Sequence, residues 1–140
     1  MQRTLAIIKP DAVERRLTGA ILRRIEEAEF DIRGMRLIQM SKHDAEGFYA
    51  VHRERPFFDS LTCFMSSGPA IVLVLEAPDA IARWRRLMGA TDPADAERET
   101  LRREYGSSIE RNATHGSDAP GTAAFEVGYF FRGVELKPVP

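Results

Sequence analysis

The stretch Asn112-Ala113-Thr114-His115-Gly116-Ser117-Asp118 puts an amide, two hydroxyls, an imidazole and a carboxylate within seven residues. Pro120 suits the first turn of a helix and Asp118 its N-cap, and Ala123, Val127, Phe130 and Phe131 follow at helical spacing. That spacing puts His115 two or three residues before a helix N-terminus, where free N–H groups favour an anion. Histidine, with an unperturbed pKa of about 6.5, serves as a nucleophile at neutral pH. An imidazole beside an anion site points to phosphate chemistry. A polar loop with a capping Asp118 and a surface His115 explains the same residues equally well. A metal centre is disfavoured because no second His or Cys stands at ligand spacing. A Ser-His-Asp triad is disfavoured too, because its members converge from distant segments rather than from neighbouring positions.

The elements that must position this stretch read as follows. Thr4 to Ile8 is a short apolar run closed by Lys9-Pro10-Asp11, a buried strand stopped by a residue that cannot donate to a ladder. Lys9 then stands at a rigid strand end. Thr18 opens a helix with Ile21, Leu22, Ile25 and Ala28 as its buried stripe. Phe30 to Met40 reads as a second strand. Ser41 caps a short helix through Phe48, Tyr49 and Val51. His43 and His52 read as surface residues, and Tyr49 as a core ring whose hydroxyl can face a site. Arg55-Pro56-Phe57-Phe58-Asp59 is a turn with adjacent aromatics. Neighbours on a turn point apart, so one Phe can be core and the other an exposed platform for a base; two ordinary core aromatics is the simpler reading of the pair alone. Ala70 to Leu75 is a strand apolar on both faces, hence central. Pro78-Asp79 starts a helix with Ile81, Trp84 and Met88 on one stripe, Arg85 at its border and Gly89 at its end. Ala90 to Arg111 is a long polar segment without apolar period, of the kind that is functional when it occurs inside a compact domain. Arg132 to Pro140 reads as an extended tail. The alternation of strands and helices predicts an α/β sandwich.

Composition narrows the class. A chain of 140 residues with 44% hydrophobic and 29% charged residues is expected to form one domain over 1–140, with roughly two-thirds of its unfolded surface buried. A net charge of −1 makes no demand for a nucleic-acid partner. The one cysteine, Cys63, excludes an internal disulfide, fits a reducing cytoplasmic setting and reads as a small buried hydrophobe. The longest apolar run is far short of the roughly 20 residues a membrane span needs.

Taken together, Ile8-Lys9-Pro10-Asp11, Arg55-Pro56-Phe57-Phe58, Ser67-Gly68-Pro69, Met88-Gly89-Ala90-Thr91-Asp92-Pro93-Ala94, Thr100-Leu101-Arg102 and the 112–118 stretch resemble, in order and spacing, the motifs of nucleoside diphosphate kinases. The resemblance runs from about Arg3 to Phe131. It implies an α+β fold, a ferredoxin-like βαββαβ sandwich with a four-stranded antiparallel sheet. It implies a ping-pong transfer of the terminal phosphate of a nucleoside triphosphate, typically ATP, to a nucleoside diphosphate through a phosphohistidine. It also implies Mg2+ carried with the nucleotide phosphates and a homo-oligomer, hexamer or tetramer.

By the same resemblance, His115 matches the phosphorylated histidine, and Lys9 the lysine that meets the transferring phosphate and the sugar hydroxyl. Arg85, Thr91 and Arg102 match phosphate-binding residues, and Asn112 the contact to the ribose 3′ hydroxyl. Phe57 and Ile109 match the apolar walls around the base, and Tyr49 a tyrosine lining the phosphate site. Ser117 and Glu126 match the pair supporting the histidine. Asp118 matches an aspartate that meets the metal through water. No matched position is missing. Glu99 and Glu29 stand where the family commonly has glycine; Glu99 bears on the geometry of the loop carrying Arg102, and Glu29 precedes the second strand.

Phosphoryl transfer asks a protein mainly for positioning and charge neutralisation, and Lys9, Arg85 and Arg102 supply the charge. Two other classes compete with the enzyme. A non-catalytic nucleotide-binding member of the same fold is disfavoured by the complete residue set. A single-stranded nucleic-acid binder is disfavoured by the near-zero net charge.

Overall fold

The computed structural model describes residues 1–136. Its sheet has four strands in the order β2-β3-β1-β4: β1 (Gln2–Ile8), β2 (Asp31–Ile38), β3 (Ala70–Ala77) and β4 (Thr114–Gly116). All pairings are antiparallel, with Leu5 opposite Val74 and Ile7 opposite both Val72 and His115. The two central strands are the run read as a buried strand and the run read as apolar on both faces. Thr4–Ile8 and Ala70–Leu75 are buried throughout.

Strand periodicity divides those residues between two cores. Ala6, Ile8, Ile71, Leu73 and Leu75 face α2 (Thr18–Glu27) and α5 (Ala80–Met88), where Ile21, Ile25, Trp84 and Met88 are buried. Leu5, Ile7, Val72 and Val74 face the other way, onto Phe48, Phe64, Met65 and Phe131. Those residues come from α3 (Lys42–Phe48), α4 (Phe58–Met65) and the end of α7 (Pro120–Phe130). Two short helices complete the described chain, α1 (Pro10–Glu14) and α6 (Leu101–Tyr105). The order β1-α2-β2-β3-α5-β4 is the expected ferredoxin-like arrangement, with helices added between and after.

Local chemistry explains two of the element ends. Ser41 and Asp44 exchange hydrogen bonds, each side chain accepting from the other's backbone N–H at 3.0 and 2.9 Å, which is a capping box at the start of α3. Gly89 ends α5 at φ +85°, and a side chain there would meet Thr100.

Several local expectations are corrected. The N-cap of α7 is Ala119, not Asp118; its N–H donates to Thr122 Oγ1 at 3.0 Å. His115 therefore lies on a strand, well before the helix, and the 112–118 stretch is not simply a loop. The polar 90–111 segment contains α6 and a single helical turn at Pro93–Asp95. Cys63 is exposed: its neighbours Thr62, Phe64 and Met65 fill the buried side of α4, and a step of about 100° along the helix turns Cys63 outward. His52 is half-buried, its ring 5.5 Å from that of Phe57 and 6.4 Å from that of Tyr49. The expected extended tail is instead a helical turn at Gly133–Leu136, with Leu136 buried; residues 137–140 lie outside the described residues.

Candidate active site

His115 is carried by β4, the shortest strand, and β4 is held from two sides. On one edge it pairs with β1. Beneath it, Trp84 Nε1 of α5 donates to the His115 carbonyl at 3.0 Å. A Cβ on Gly116 would come within 2.5 Å of the Trp84 ring. The glycine in the stretch therefore admits the core helix rather than a ligand.

The His115 side chain enters a chain of hydrogen bonds. Its Nε2 lies 2.9 Å from Glu126 Oε1, and both side chains are more than four-fifths buried. Ser117 Oγ donates to the same carboxylate oxygen at 2.9 Å and accepts from the Leu5 N–H at 3.1 Å. A carboxylate only accepts, so Nε2 carries the proton and Nδ1 keeps its lone pair. Nδ1 has no hydrogen-bond partner among the described residues. The ring is packed edge-on by Phe48 and Tyr49, with centroids at 5.4 and 6.1 Å.

Lys9 stands where β1 turns into α1. Its Nζ donates to the Glu110 carbonyl at 2.7 Å and to Asn112 Oδ1 at 2.9 Å. Burial lowers its pKa to about 8, with Asp11 as the leading opposing charge and Arg102 pushing the same way as burial. Asn112 in turn donates from Nδ2 to the Thr91 carbonyl at 3.0 Å, which ties the long polar segment to the strand end. Arg102 spends two donors on the carbonyls of Gly89 and Thr114, at 3.0 and 2.9 Å. Its buried Nε has no partner among the described residues. Burial, then the neighbouring Arg85, brings its pKa down to about 10, so it remains a cation at neutral pH. Burial and the charge of Glu126 push the Tyr49 phenol well above its ordinary range, which keeps it a neutral O–H.

These side chains share one cleft of about 360 Å³, lined by Lys9, Tyr49, Arg102, Asn112 and His115 at one end and by Phe57, Leu61 and Ile109 elsewhere. Phe57 is 45% and Ile109 61% exposed. Phe58, the other aromatic of the turn, is half-buried against the core. A second cleft of about 540 Å³ adjoins it and shares Thr91 and Arg102; Arg85 lines this one. Arg85 and Asp118 stand apart from the His115 cleft, paired with each other at 3.2 Å on the exposed rim. Of the twelve predicted residues, eight line the first cleft, Ser117 and Glu126 support His115 from behind, and Arg85 and Asp118 form the rim. The residue reading missed Asp11, which is buried and bonded to the Ala113 N–H at 3.1 Å. Its only signal was its place in the Lys9-Pro10-Asp11 motif.

The arrangement suits a flat apolar group between exposed hydrophobic side chains, with a polyanionic tail directed at Lys9 and Arg102. Among the described residues no cluster of three or more His, Cys, Asp or Glu side chains can hold a metal ion. The single rim carboxylate, Asp118, fits a divalent cation that takes most of its ligands from bound phosphates.

Fold and site together define an α+β protein with a histidine set for phosphate chemistry. Comparison with known proteins makes the class specific. The nucleoside diphosphate kinase family matches residues 2–136. The nucleoside diphosphate kinases of Desulfosudis oleivorans and Desulfovibrio desulfuricans are 60% and 62% identical over 136 residues, 97% of this chain and 98% of each relative. The crystal structure of the Aquifex aeolicus nucleoside diphosphate kinase superposes with a TM-score of 0.95 at 42% identity, over 97% of this chain and 99% of that one. The Halobacterium salinarum enzyme in complex with CDP gives 0.95 at 38% identity, over 99% and 93%. This chain belongs to the nucleoside diphosphate kinase family.

Proposed function

We propose that this chain transfers the terminal phosphate of a nucleoside triphosphate, typically ATP, to a nucleoside diphosphate through a phosphohistidine on His115. The observation that carries the reading is the 2.9 Å contact between His115 Nε2 and Glu126, which leaves Nδ1 as the nucleophile. The Nδ1 lone pair attacks the terminal phosphorus. An N–P bond forms, the P–O bond to the β-phosphate breaks, and the diphosphate leaves with the electron pair. A second diphosphate reverses the step with its own terminal oxygen. Dividing one transfer into two alike halves is what covalent catalysis offers.

Lys9, Thr91 and Arg102 bind the phosphates, and Arg85 joins them from the rim on leaving Asp118. Lys9 and Asn112 meet the sugar hydroxyl, and Tyr49 presents its neutral hydroxyl to the phosphate side. Glu126, oriented by Ser117, stabilises the charge that develops on the imidazole. Phe57 and Ile109 enclose the base without polar groups, which suits broad base tolerance. Asp118 would lie on the side of a divalent cation carried by the nucleotide phosphates, Mg2+ by the family resemblance, and such a cation would supply neutralisation of phosphate charge.

The chain works as a single domain, in the cytoplasm, as a homo-oligomer, hexamer or tetramer. The outer edge of β2 supports assembly, with Met35 51% and Leu37 68% exposed beside a strand edge that is unpaired among the described residues; light scattering measures the state. No helix among the described residues is long and apolar enough to cross a membrane, and no nucleic acid is required.

The test is a pulse of labelled ATP and magnesium without acceptor, on wild type and His115→Ala. The expected result is a protein-bound phosphate, stable in base and lost in acid, in wild type alone, which moves to an added diphosphate. Normal turnover by His115→Ala would overturn the mechanism.

A further inference from the structure

We infer that Asp11 is a positioning residue for the transfer: its carboxylate holds the strained turn at Ala113 that brings Asn112 and His115 into one cleft. This rests on the reading of His115 as nucleophile and Asn112 as sugar contact.

Only Ala113 and Thr114 separate those two residues. Asn112 is fixed by Lys9 and Thr91, and His115 is fixed by its pairing with Ile7. The chain between must turn sharply. Ala113 has φ +72°, and the Thr114 N–H donates to the Asn112 carbonyl at 2.8 Å. This is a γ-turn of the positive-φ kind, which is rare and strained, and the residue is not glycine. Strain of this kind persists only where the surroundings over-determine it. Here both polar groups of Ala113 are held by the 9–11 segment. The Lys9 N–H donates to its carbonyl at 2.9 Å, and its own N–H donates to Asp11 Oδ2 at 3.1 Å. Asp11 sits in the first turn of α1, just after Pro10, whose locked φ makes the mount stiff. The residue is 5% exposed, and its Oδ1 is buried without a partner among the described residues. A half-satisfied buried carboxylate is costly, so stability alone does not account for it; a positioning task does.

The experiment measures the rate of His115 labelling by ATP, together with kcat and KM, in Asp11→Ala, Asp11→Asn and Asp11→Ala with Ala113→Gly. Misplacement of reacting groups predicts a loss of about 10- to 100-fold in Asp11→Ala, falling on kcat more than on KM. Asp11→Asn keeps an acceptor for the Ala113 N–H and retains most of the rate. Ala113→Gly adopts the positive φ without strain and restores labelling to Asp11→Ala. Equal losses in the Asn and Ala variants would overturn the inference in favour of a charge effect on Lys9. Should Asp11→Ala not fold, a folded Asp11→Asn that loses labelling roughly tenfold overturns it as well. A wild type that takes no label removes the nucleophile itself. A labelled wild type matched in rate by Asp11→Ala removes the role of Asp11 alone.

Discussion

The two ends of the cleft are built on opposite principles. At the His115 end the nucleophile is held by a polar network: Leu5, Ser117, Glu126 and His115 form one hydrogen-bonded chain behind a strand locked to β1 and α5. At the Phe57 and Ile109 end, the surfaces are exposed and apolar. Transfer of a phosphate tolerates little displacement of the nucleophile, so that end is rigid. Accepting many bases requires that nothing in the wall discriminate among them, so that end is smooth.

The rigid end is the more sensitive to substitution. Glu126→Ala leaves the imidazole without its orienting carboxylate and is expected to lower the labelling rate by about 10²-fold, with ADP affinity near that of wild type by calorimetry. A small loss would mean that strand pairing alone aims the ring. At the smooth end, Phe57→Ala is expected to weaken nucleotides by about 1–3 kcal/mol, to a similar extent for purines and pyrimidines. A loss confined to one base class would show that this wall does select.

The pH dependence sharpens the same contrast. Lys9 has a folded-state pKa lowered to about 8 from 10.5, so the free enzyme loses this cation as pH rises through about 8. Accordingly kcat/KM is expected to fall above that value, by about tenfold per pH unit at most. Bound phosphates favour the charged amine, so kcat should fall at higher pH than kcat/KM. Stability runs the other way: between about 8 and 10.5 the unfolded chain binds more protons, so the fold gains stability across that window. A kcat/KM that stays flat through the window would show that Lys9 acts without its charge.

The smallest effect lies outside both ends. Glu99 sits at φ +69° and Glu29 at +63°, the left-handed region that costs an L-residue about 1–2 kcal/mol. Glu99→Gly relieves that cost but adds unfolded-chain entropy worth about 0.4–1 kcal/mol. The expected net gain is up to about 1.5 kcal/mol by denaturant unfolding, with kcat unchanged. The loop carrying Arg102 keeps its geometry because the Glu99 carbonyl, not its side chain, bonds Arg24. A change in kcat would show that this strain is felt at the phosphate end.

Much of this was legible in the chain alone. Residue types repeat along the central strands and along α2 and α5 with the periods of buried faces, so Ile7, Leu73, Ile25 and Trp84 declared themselves core. The glutamates at positions 29 and 99 stood out against the glycines of the resembling family, and both prove to have positive φ. The candidate nucleophile, its cations and its base walls could be named because short motifs carried them. What stayed hidden depends on contacts between residues of different elements, two of them about a hundred positions apart. A three-residue β4 has no period to read. The register that sets His115 against Ile7 decided its strand, Glu126 decided which ring nitrogen is free, and Asp11 reached Ala113 only once β1 and β4 lay side by side. Patterns along a chain report how each residue meets water or the core. Hydrogen bonds with defined partners report how strands pair, and that was decided only in the folded sheet.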